Sequence, residues 1–269
     1  MDEVLALRYG GDIRNLLLGN RTFILQLAHP AVGAGVVQHS NFRQDPWHRL
    51  REIAHSGDRM MFHGHDAAEA EGRRLRELHR HIHGHDAHGR RYHALNPEVY
   101  GWVHFVFYET TLACHQLFGD GVPEAHQELL FQNWRASGAY FGLRDKDLPA
   151  SRQAYWSKWW QVLSAGLETN AAIEYILNLS QHCPPPPPAL QRLPETLWRT
   201  LWRALGTRSD LATRGMLPPA LRQRLGLEWN ATQAREFERN RRRIQRLFRA
   251  LPADWRLLPA ARQRLHALP

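Results

Sequence analysis

The sequence predicts an all-α protein, folded as a single globular domain of packed helices. Almost every segment with a clear pattern repeats its apolar residues at the three- and four-residue spacing of a helix. No stretch combines alternating apolar and polar residues with the turn signals that bound β-hairpins. With 269 residues, of which 43% are hydrophobic, the chain is long enough to enclose a substantial core.

Proline, glycine and capping residues set the limits of the predicted helices. Pro30 interrupts the first helix, Gly64 ends the third, and Asn96-Pro97 supplies the cap and the first turn of a later one. In chain order, the predicted helices cover residues 12–28, 32–37, 47–62, 66–84, 98–117, 124–143, 150–181, 193–205, 219–225 and 232–251.

Two of these helices carry histidines on or near an apolar side. Helix 66–84 places its acidic residues early and its arginines late, as the helix dipole favours, and His79 lies next to Leu78 on its apolar line. Helix 98–117 has apolar residues on nearly every side and contains His104. This pattern predicts a central, buried helix.

The five prolines at 184–188 divide the domain into a core and a cap. Prolines lack amide donors and resist the helix, so the run predicts a stiff, extended connector. We expect a core over residues 10–183 and a basic helical cap over 189–265, both within one domain spanning 1–269.

The positive charge lies in the C-terminal part. Residues 190–269 contain 17 arginines and 6 acidic residues, within a chain of net charge +9. Peripheral contact with an anionic membrane surface is one expectation, and no nucleic-acid partner is expected. Only two of the 35 basic residues are lysine, and such arginine usage follows from nucleotide composition as readily as from a partner. An alternative is a basic interaction module at 235–249, with steeply salt-dependent binding to nucleic acid or anionic lipid.

Several classes of protein are excluded by composition. The longest apolar runs are interrupted within a few residues, far short of the roughly 20 that a membrane-spanning helix needs. The charged segment 1–14 lacks the apolar core of a secretory signal, so a cytoplasmic location is expected. Cys114 and Cys183 are too few for a disulfide framework and are expected to be free thiols.

Histidine is concentrated in one part of the chain, where 13 of the 17 histidines fall between His29 and His104. Neutral imidazole is a common ligand for iron, copper and zinc. The histidines at 81–93 are interleaved with glycine, aspartate and arginine, which predicts a polar, solvated loop. His79 and His104 are therefore the candidate ligands, while a buried histidine bonded to a neighbour is the alternative for His104.

Common catalytic motifs are missing from the sequence. There is no HExxH, GxSxG, GxxxxGK[ST] or GxGxxG, which argues against zinc peptidases, esterases, and nucleotide- or dinucleotide-binding enzymes. Neither Glu77 nor Glu109 is followed by histidine three residues later, so a carboxylate-bridged di-iron site is a minor alternative. His79 and His83 have the spacing of a two-histidine metal clip, but Gly84 ends the helix there.

Three phrases in order resemble the family of MpaB-type oxygenases that includes the rubber oxygenase, or latex-clearing protein. The resemblance covers about residues 10–265. The phrases are FILQLAHPAVGAGVVQHSNFRQDPWHRL (23–50), LHRHIHGHDAHGRRYHALNPEVYGWVHF (78–105) and GMLPPALRQRLGLEW (215–229).

The resemblance implies an all-helical domain that binds haem b in its core through one proximal histidine. It also implies molecular oxygen as co-substrate and oxidative cleavage of a carbon–carbon double bond in an apolar, isoprenoid-like substrate. The family phrase H-x-x-[VI]-x-G maps to His79 as the iron ligand, with His104 as a second site-lining residue. Arg49 matches the family's distal-side arginine, expected to bond a propionate or polarise oxygen. Thr110 and Thr111 are expected to line the pocket.

The chain departs from the rubber oxygenase pattern beside Arg49. Those enzymes carry lysine and threonine where this sequence has Glu52 and Ile53. Polyisoprene is therefore not assumed as substrate, and the distal chemistry is expected to differ. The departure also keeps open a second hypothesis, a non-enzymatic helical haem or lipid carrier.

Overall fold

The computed structural model describes residues 3–268, and the first two residues and the last residue of the predicted domain lie outside this range. Its architecture confirms the all-α prediction. The α-helices are α1 (Glu3–Gly10), α2 (Gly19–Leu27), α3 (Pro30–His39), α4 (Pro46–Phe62), α5 (Gly64–His79), α6 (Pro97–Phe118), α7 (Glu124–Ser137), α8 (Arg152–Ala165), α9 (Ala171–Leu177), α10 (Glu195–Met216), α11 (Pro219–Arg224), α12 (Ala231–Ala250) and α13 (Pro259–His266).

Helix α6 runs through the main core. It starts as the sequence predicts, because the Asn96 side chain accepts a hydrogen bond from the Glu98 amide at 2.9 Å. Phe105 stacks on Tyr155 of α8 with ring centroids 4.0 Å apart, and the Tyr155 hydroxyl donates to the Phe105 carbonyl at 2.8 Å. Aromatic rings from α6, α7 and α8 fill the space around this pair. Among the aromatic residues of α6, Phe107 is the exposed one, with 47% of its surface accessible to solvent.

A buried ion pair joins α2 to α6. Arg21 donates two hydrogen bonds to the Glu109 carboxylate, at 2.6 and 2.8 Å. Its Nε donates to the Met216 carbonyl at 2.9 Å, at the end of α10. Because Arg21 is only 2% exposed, this guanidinium is a polar link between three helices inside the protein.

The histidine segment is a small β-hairpin rather than the predicted loop, and its histidines are exposed, as the prediction of a polar, solvated segment requires. Strand β1 (His83–His85) pairs antiparallel with β2 (Arg91–His93). Asp86 closes the turn by accepting hydrogen bonds from the amides of His88 and Arg90, at 2.9 and 3.0 Å. The sequence shows no alternation of apolar and polar residues here, because Tyr92 is the only buried residue of the two strands.

Two helix limits near the N-terminal half differ from the prediction. The helix expected at 12–28 begins as a 3₁₀ turn over Ile13–Leu18, because Asp12 caps it and pairs with Arg14. Gly64 begins α5 rather than only ending α4, and its φ of +82° makes the sharp corner between the two helices.

Further limits differ in the second half of the chain. The segment expected at 150–181 is broken between α8 and α9, where Asn170 caps α9 by accepting from two of its amides. Helix α10 continues to Met216, well past the predicted end at residue 205. Helices α1 and α13 were not predicted, since each has only eight residues.

The C-terminal helices pack on the rest of the molecule. Trp47 and Trp198 donate indole hydrogen bonds to the carbonyls of Pro185 and Pro184, both at 2.7 Å, which holds the proline segment between α4 and α10. The chain end returns to α1, where the Leu258 amide donates to the Gly11 carbonyl at 2.8 Å. In the described part of the chain, no helix combines the length and the apolar character needed to cross a membrane.

Candidate functional site

Helices α4 and α5 form an antiparallel pair whose facing sides carry the predicted ligand and arginine. Helix α4 turns Arg49, Ile53 and Ser56 inward at four- and three-residue spacing, and all three are partly buried. Helix α5 turns Glu71 and His79 toward α4. Because Arg49 and His79 lie at similar sequence distances from the turn joining the helices, both lie at the open end of the pair, where the charge of Arg49 acts on His79.

Glu71 fixes the register of this pair. Its carboxylate is 1% exposed and accepts a hydrogen bond from Ser56 of α4 at 2.6 Å. Arg74 donates to the same carboxylate at 2.6 Å, and Arg59 approaches it at 3.4 Å. The hydrogen bonds from Arg74 hold the pKa of Glu71 below its usual value, with a further contribution from Ser56. Glu71 was not predicted as a site residue, since nothing in the helical pattern separates a paired buried glutamate from a surface one.

Replacing Glu71 with glutamine is expected to lower the free energy of unfolding at neutral pH by about 1–3 kcal/mol, because an amide cannot satisfy all three partners. The carboxylate's lowered pKa means that its stabilisation is present above the ordinary glutamate pKa and is lost as pH falls through the folded-state value. Urea unfolding at neutral and acidic pH measures both effects, and Glu71→Gln should flatten the acid dependence.

Glu69→Gln is the matched control on the same helix. Its pair with Arg73 at 2.8 Å is exposed, so the variant should cost less than about 1 kcal/mol. An equal loss in the two variants would contradict the assigned role of Glu71.

His79 presents one free nitrogen at the open end of the α4–α5 pair. Its Nδ1 donates to the Leu75 carbonyl at 2.7 Å, which leaves Nε2 as the unprotonated nitrogen of the neutral ring. No hydrogen bond within residues 3–268 engages Nε2. Burial lowers the pKa of His79 below its usual value, and the charges of Arg49 and Arg74 lower it further. The ring is therefore neutral near pH 7 and able to bind a metal.

Arg49 is the residue of α4 whose charge acts on His79. Its Nη1 lies 3.4 Å from the Glu52 carboxylate, a partly exposed contact. Glu52 also lies 3.7 Å from His48. Ile53, one turn after Arg49, is partly buried on the inward side. Thus the two positions that depart from the rubber oxygenase pattern place a carboxylate beside the arginine and an aliphatic side chain toward α5.

Tyr100 completes the site from α6. Its ring meets His79 edge to face, with centroids 5.5 Å apart. Burial raises the pKa of Tyr100 to about 12, so its hydroxyl stays protonated. Phe141 packs against the other side of Tyr100 at 6.1 Å. The one available sequence signal was position, since Tyr100 occupies the first turn of the helix that contains His104.

His104 lies within the core, separated from His79 by aromatic rings. Its Nε2 donates to the Trp134 carbonyl at 2.9 Å, and the Trp134 indole donates back to the His104 carbonyl at 2.9 Å. Phe141 lies between His104, at 5.0 Å, and the Tyr100 ring that contacts His79. Burial lowers the pKa of His104 to about 4, so it is neutral.

The two threonines lie farther along α6. Thr110 hydrogen-bonds to Thr22 of α2 at 3.1 Å, and Thr111 donates to the Phe107 carbonyl one turn earlier. A rise of 1.5 Å per residue puts Thr110 about 15 Å beyond Tyr100 along the helix axis. The structure therefore places His79 and Arg49 at the same end of the α4–α5 pair, where the charge of Arg49 acts on His79, and both threonines lie farther along α6.

Comparison with known proteins identifies the family of the chain. The family described as ER-bound oxygenase mpaB/B'/rubber oxygenase, catalytic domain, matches residues 7–249. The chain belongs to this family. Uncharacterized proteins of Mycobacterium bovis and Mycobacterium tuberculosis are each 25% identical over 237 residues, covering 83% of this chain and 84% of the relative. No solved structure is significantly similar to the chain.

Membership of the MpaB/rubber oxygenase family makes the protein a relative of oxygenase catalytic domains. Within residues 3–268, no group of three or more His, Cys, Asp or Glu side chains is arranged to hold a metal ion. The donor at the α4–α5 site is instead a single imidazole, with a tyrosine ring beside it and the charge of Arg49 acting on it.

Proposed function

We propose that the protein is a haem b-dependent oxygenase that acts on an apolar, unsaturated, isoprenoid-like substrate. His79 is the proximal iron ligand, and Arg49 is the distal or propionate-binding cation. The observation that carries the proposal is the polarised His79 ring, whose Nδ1 is bonded to the Leu75 carbonyl while Nε2 is open. When bound, haem b supplies the iron that activates oxygen, and one O₂ per double bond yields two carbonyl groups.

The residues present fit this group. A histidine that ligates iron commonly donates its other ring N–H to a carbonyl, which fixes the tautomer and the ring orientation. The lowered pKa of His79 keeps the ring neutral, as ligation requires. Leu50 and Leu78, next in sequence to Arg49 and His79, are about half exposed and offer apolar surface to a macrocycle.

The chain's own residues give the site its selectivity. Arg49 supplies a fixed positive charge for a propionate or for an oxygen atom that gains negative charge. Ile53 and the two leucines give that side an apolar surface, which favours an apolar substrate. The protonated Tyr100 holds the His79 ring from its edge. His104, bonded to Trp134, positions α6 against α7 and through Phe141 supports Tyr100.

A haem or lipid carrier is the second candidate, because Glu52 approaches Arg49 and competes for its charge. The absorption spectrum of protein expressed with ample iron tests haem binding, and a Soret band is expected. Oxygen uptake with unsaturated isoprenoids such as squalene, but not with saturated squalane, is expected of the oxygenase. A Soret band without uptake would favour the carrier, and absence of haem would overturn both haem-based functions.

We propose a cytoplasmic location for the enzyme. Fractionation of cells that express the full chain checks this, with activity expected on the cytoplasmic side of the membrane.

A further inference from the structure

Helix α12 has a fixed orientation on the molecule. Phe237 and Ile244 pack against the buried cluster that joins α6 and α10. Arg241 and Gln245 donate to the Leu117 carbonyl at 2.8 and 3.1 Å. These contacts hold one side of α12 against α6, so its opposite side faces solvent.

The solvent side of α12 is lined with arginines. We call it the arginine face, and all its members are exposed: Arg235, Arg239, Arg242, Arg243, Arg246 and Arg249. At 1.5 Å per residue the face is about 21 Å long. This pattern, on a helix whose other side is packed, gives a flat stripe of positive charge.

Most of this charge is not neutralised. Arg242 pairs with Glu238, and Arg249 pairs with Asp120. Glu236 lies at the edge of the face. Among residues 3–268, no acidic side chain forms an ion pair with the other four, which are Arg235, Arg239, Arg243 and Arg246.

Two large apolar side chains stand beside the C-terminal end of the face. Leu247 of α12 is 60% exposed and Trp255 is 67% exposed. The Arg256 guanidinium donates to the Arg249 carbonyl at 3.1 Å, which places Trp255 next to the last turn of α12. An exposed tryptophan and an exposed leucine therefore adjoin the positive charge of the arginine face, and this combination of charge and apolar surface suits an anionic lipid interface.

We propose that the arginine face docks the protein on an anionic phospholipid surface, with Trp255 and Leu247 entering the headgroup region. Arginines on one helix face attract anionic lipid, and tryptophan favours the membrane–water interface. Leucine gains from contact with acyl chains and has no stacking interaction with a nucleic-acid base, so the observations favour lipid. The proposal does not depend on the proposed function, because none of these residues belongs to the His79 site.

Co-sedimentation of the full chain with vesicles tests the proposal. We expect the protein to bind phosphatidylcholine vesicles that contain phosphatidylserine, and this binding should weaken with added salt. Binding to vesicles of phosphatidylcholine alone should be at background. The triple variant Arg239→Gln, Arg243→Gln, Arg246→Gln should bind on the order of a hundredfold more weakly, at about fivefold per arginine. All three residues are exposed, so folding should be retained.

The control removes the same charge from another helix. This control is a second triple variant, which replaces exposed arginines of α10 and should bind as the wild type does: Arg199→Gln, Arg203→Gln, Arg208→Gln. Trp255→Ala should weaken vesicle binding and leave affinity for duplex RNA unchanged. Equal losses in the two triple variants, or tighter binding to RNA than to anionic vesicles at matched salt, would overturn the proposal.

Discussion

Replacing His79 with glycine is expected to reduce the Soret band of the purified protein to background, with oxygen uptake lost at the same time. The imidazole is the one side chain at the α4–α5 site whose ring is oriented by a carbonyl and whose second nitrogen is open. Glycine removes the ligand and leaves a space of its size. Because the ring is partly exposed and its hydrogen bond is to its own helix, the fold should survive the change.

Exogenous imidazole gives this variant a direct check. Added to His79→Gly with haem b, it should occupy the space and restore the Soret band, whereas it should not change the wild-type spectrum. His81→Gly is the matched control, since His81 is exposed two residues away. If His79→Gly kept its haem, or His81→Gly lost it, His79 would not be the ligand.

The information in helical periodicity explains how much of this site could be predicted from the sequence. It identifies which side of a helix is buried, and so it predicted the central position of α6. It does not identify which helices face each other. Thr110 therefore seemed close to the site in sequence, while the structure pairs it with Thr22 of α2. Arg49 and His79 were selected together only through the family resemblance.

Residues that act through pairing were the hardest to predict. Glu71 and Tyr100 are an acidic residue and an aromatic residue in ordinary helical positions, and their roles arise only where two helices meet. Leu78 shows the reverse error, because it lies on the predicted apolar line and is 50% exposed. Local propensity failed similarly for the eight-residue helices α1 and α13, whose stability comes from packing against each other and α4.

The largest loss of stability is expected from Arg21→Met. The substitution keeps the volume of the side chain but leaves the Glu109 carboxylate without its partner among apolar neighbours. Breaking a buried pair in this way costs about 3–5 kcal/mol, far more than the loss of an exposed one. For a domain of this size the midpoint of thermal unfolding should fall by roughly 10 °C.

The double variant Arg21→Met, Glu109→Leu separates the ion pair from the packing. With the carboxylate also replaced, no buried charge is left uncompensated, and thermal unfolding should recover much of the lost midpoint. Recovery should stop short of wild type, because Arg21 also donates to the Met216 carbonyl and thereby ties α10 to α2. Additive losses in the two single variants would show that Arg21 and Glu109 act independently. A strong coupling would identify the pair as the polar link that joins α2 to α6.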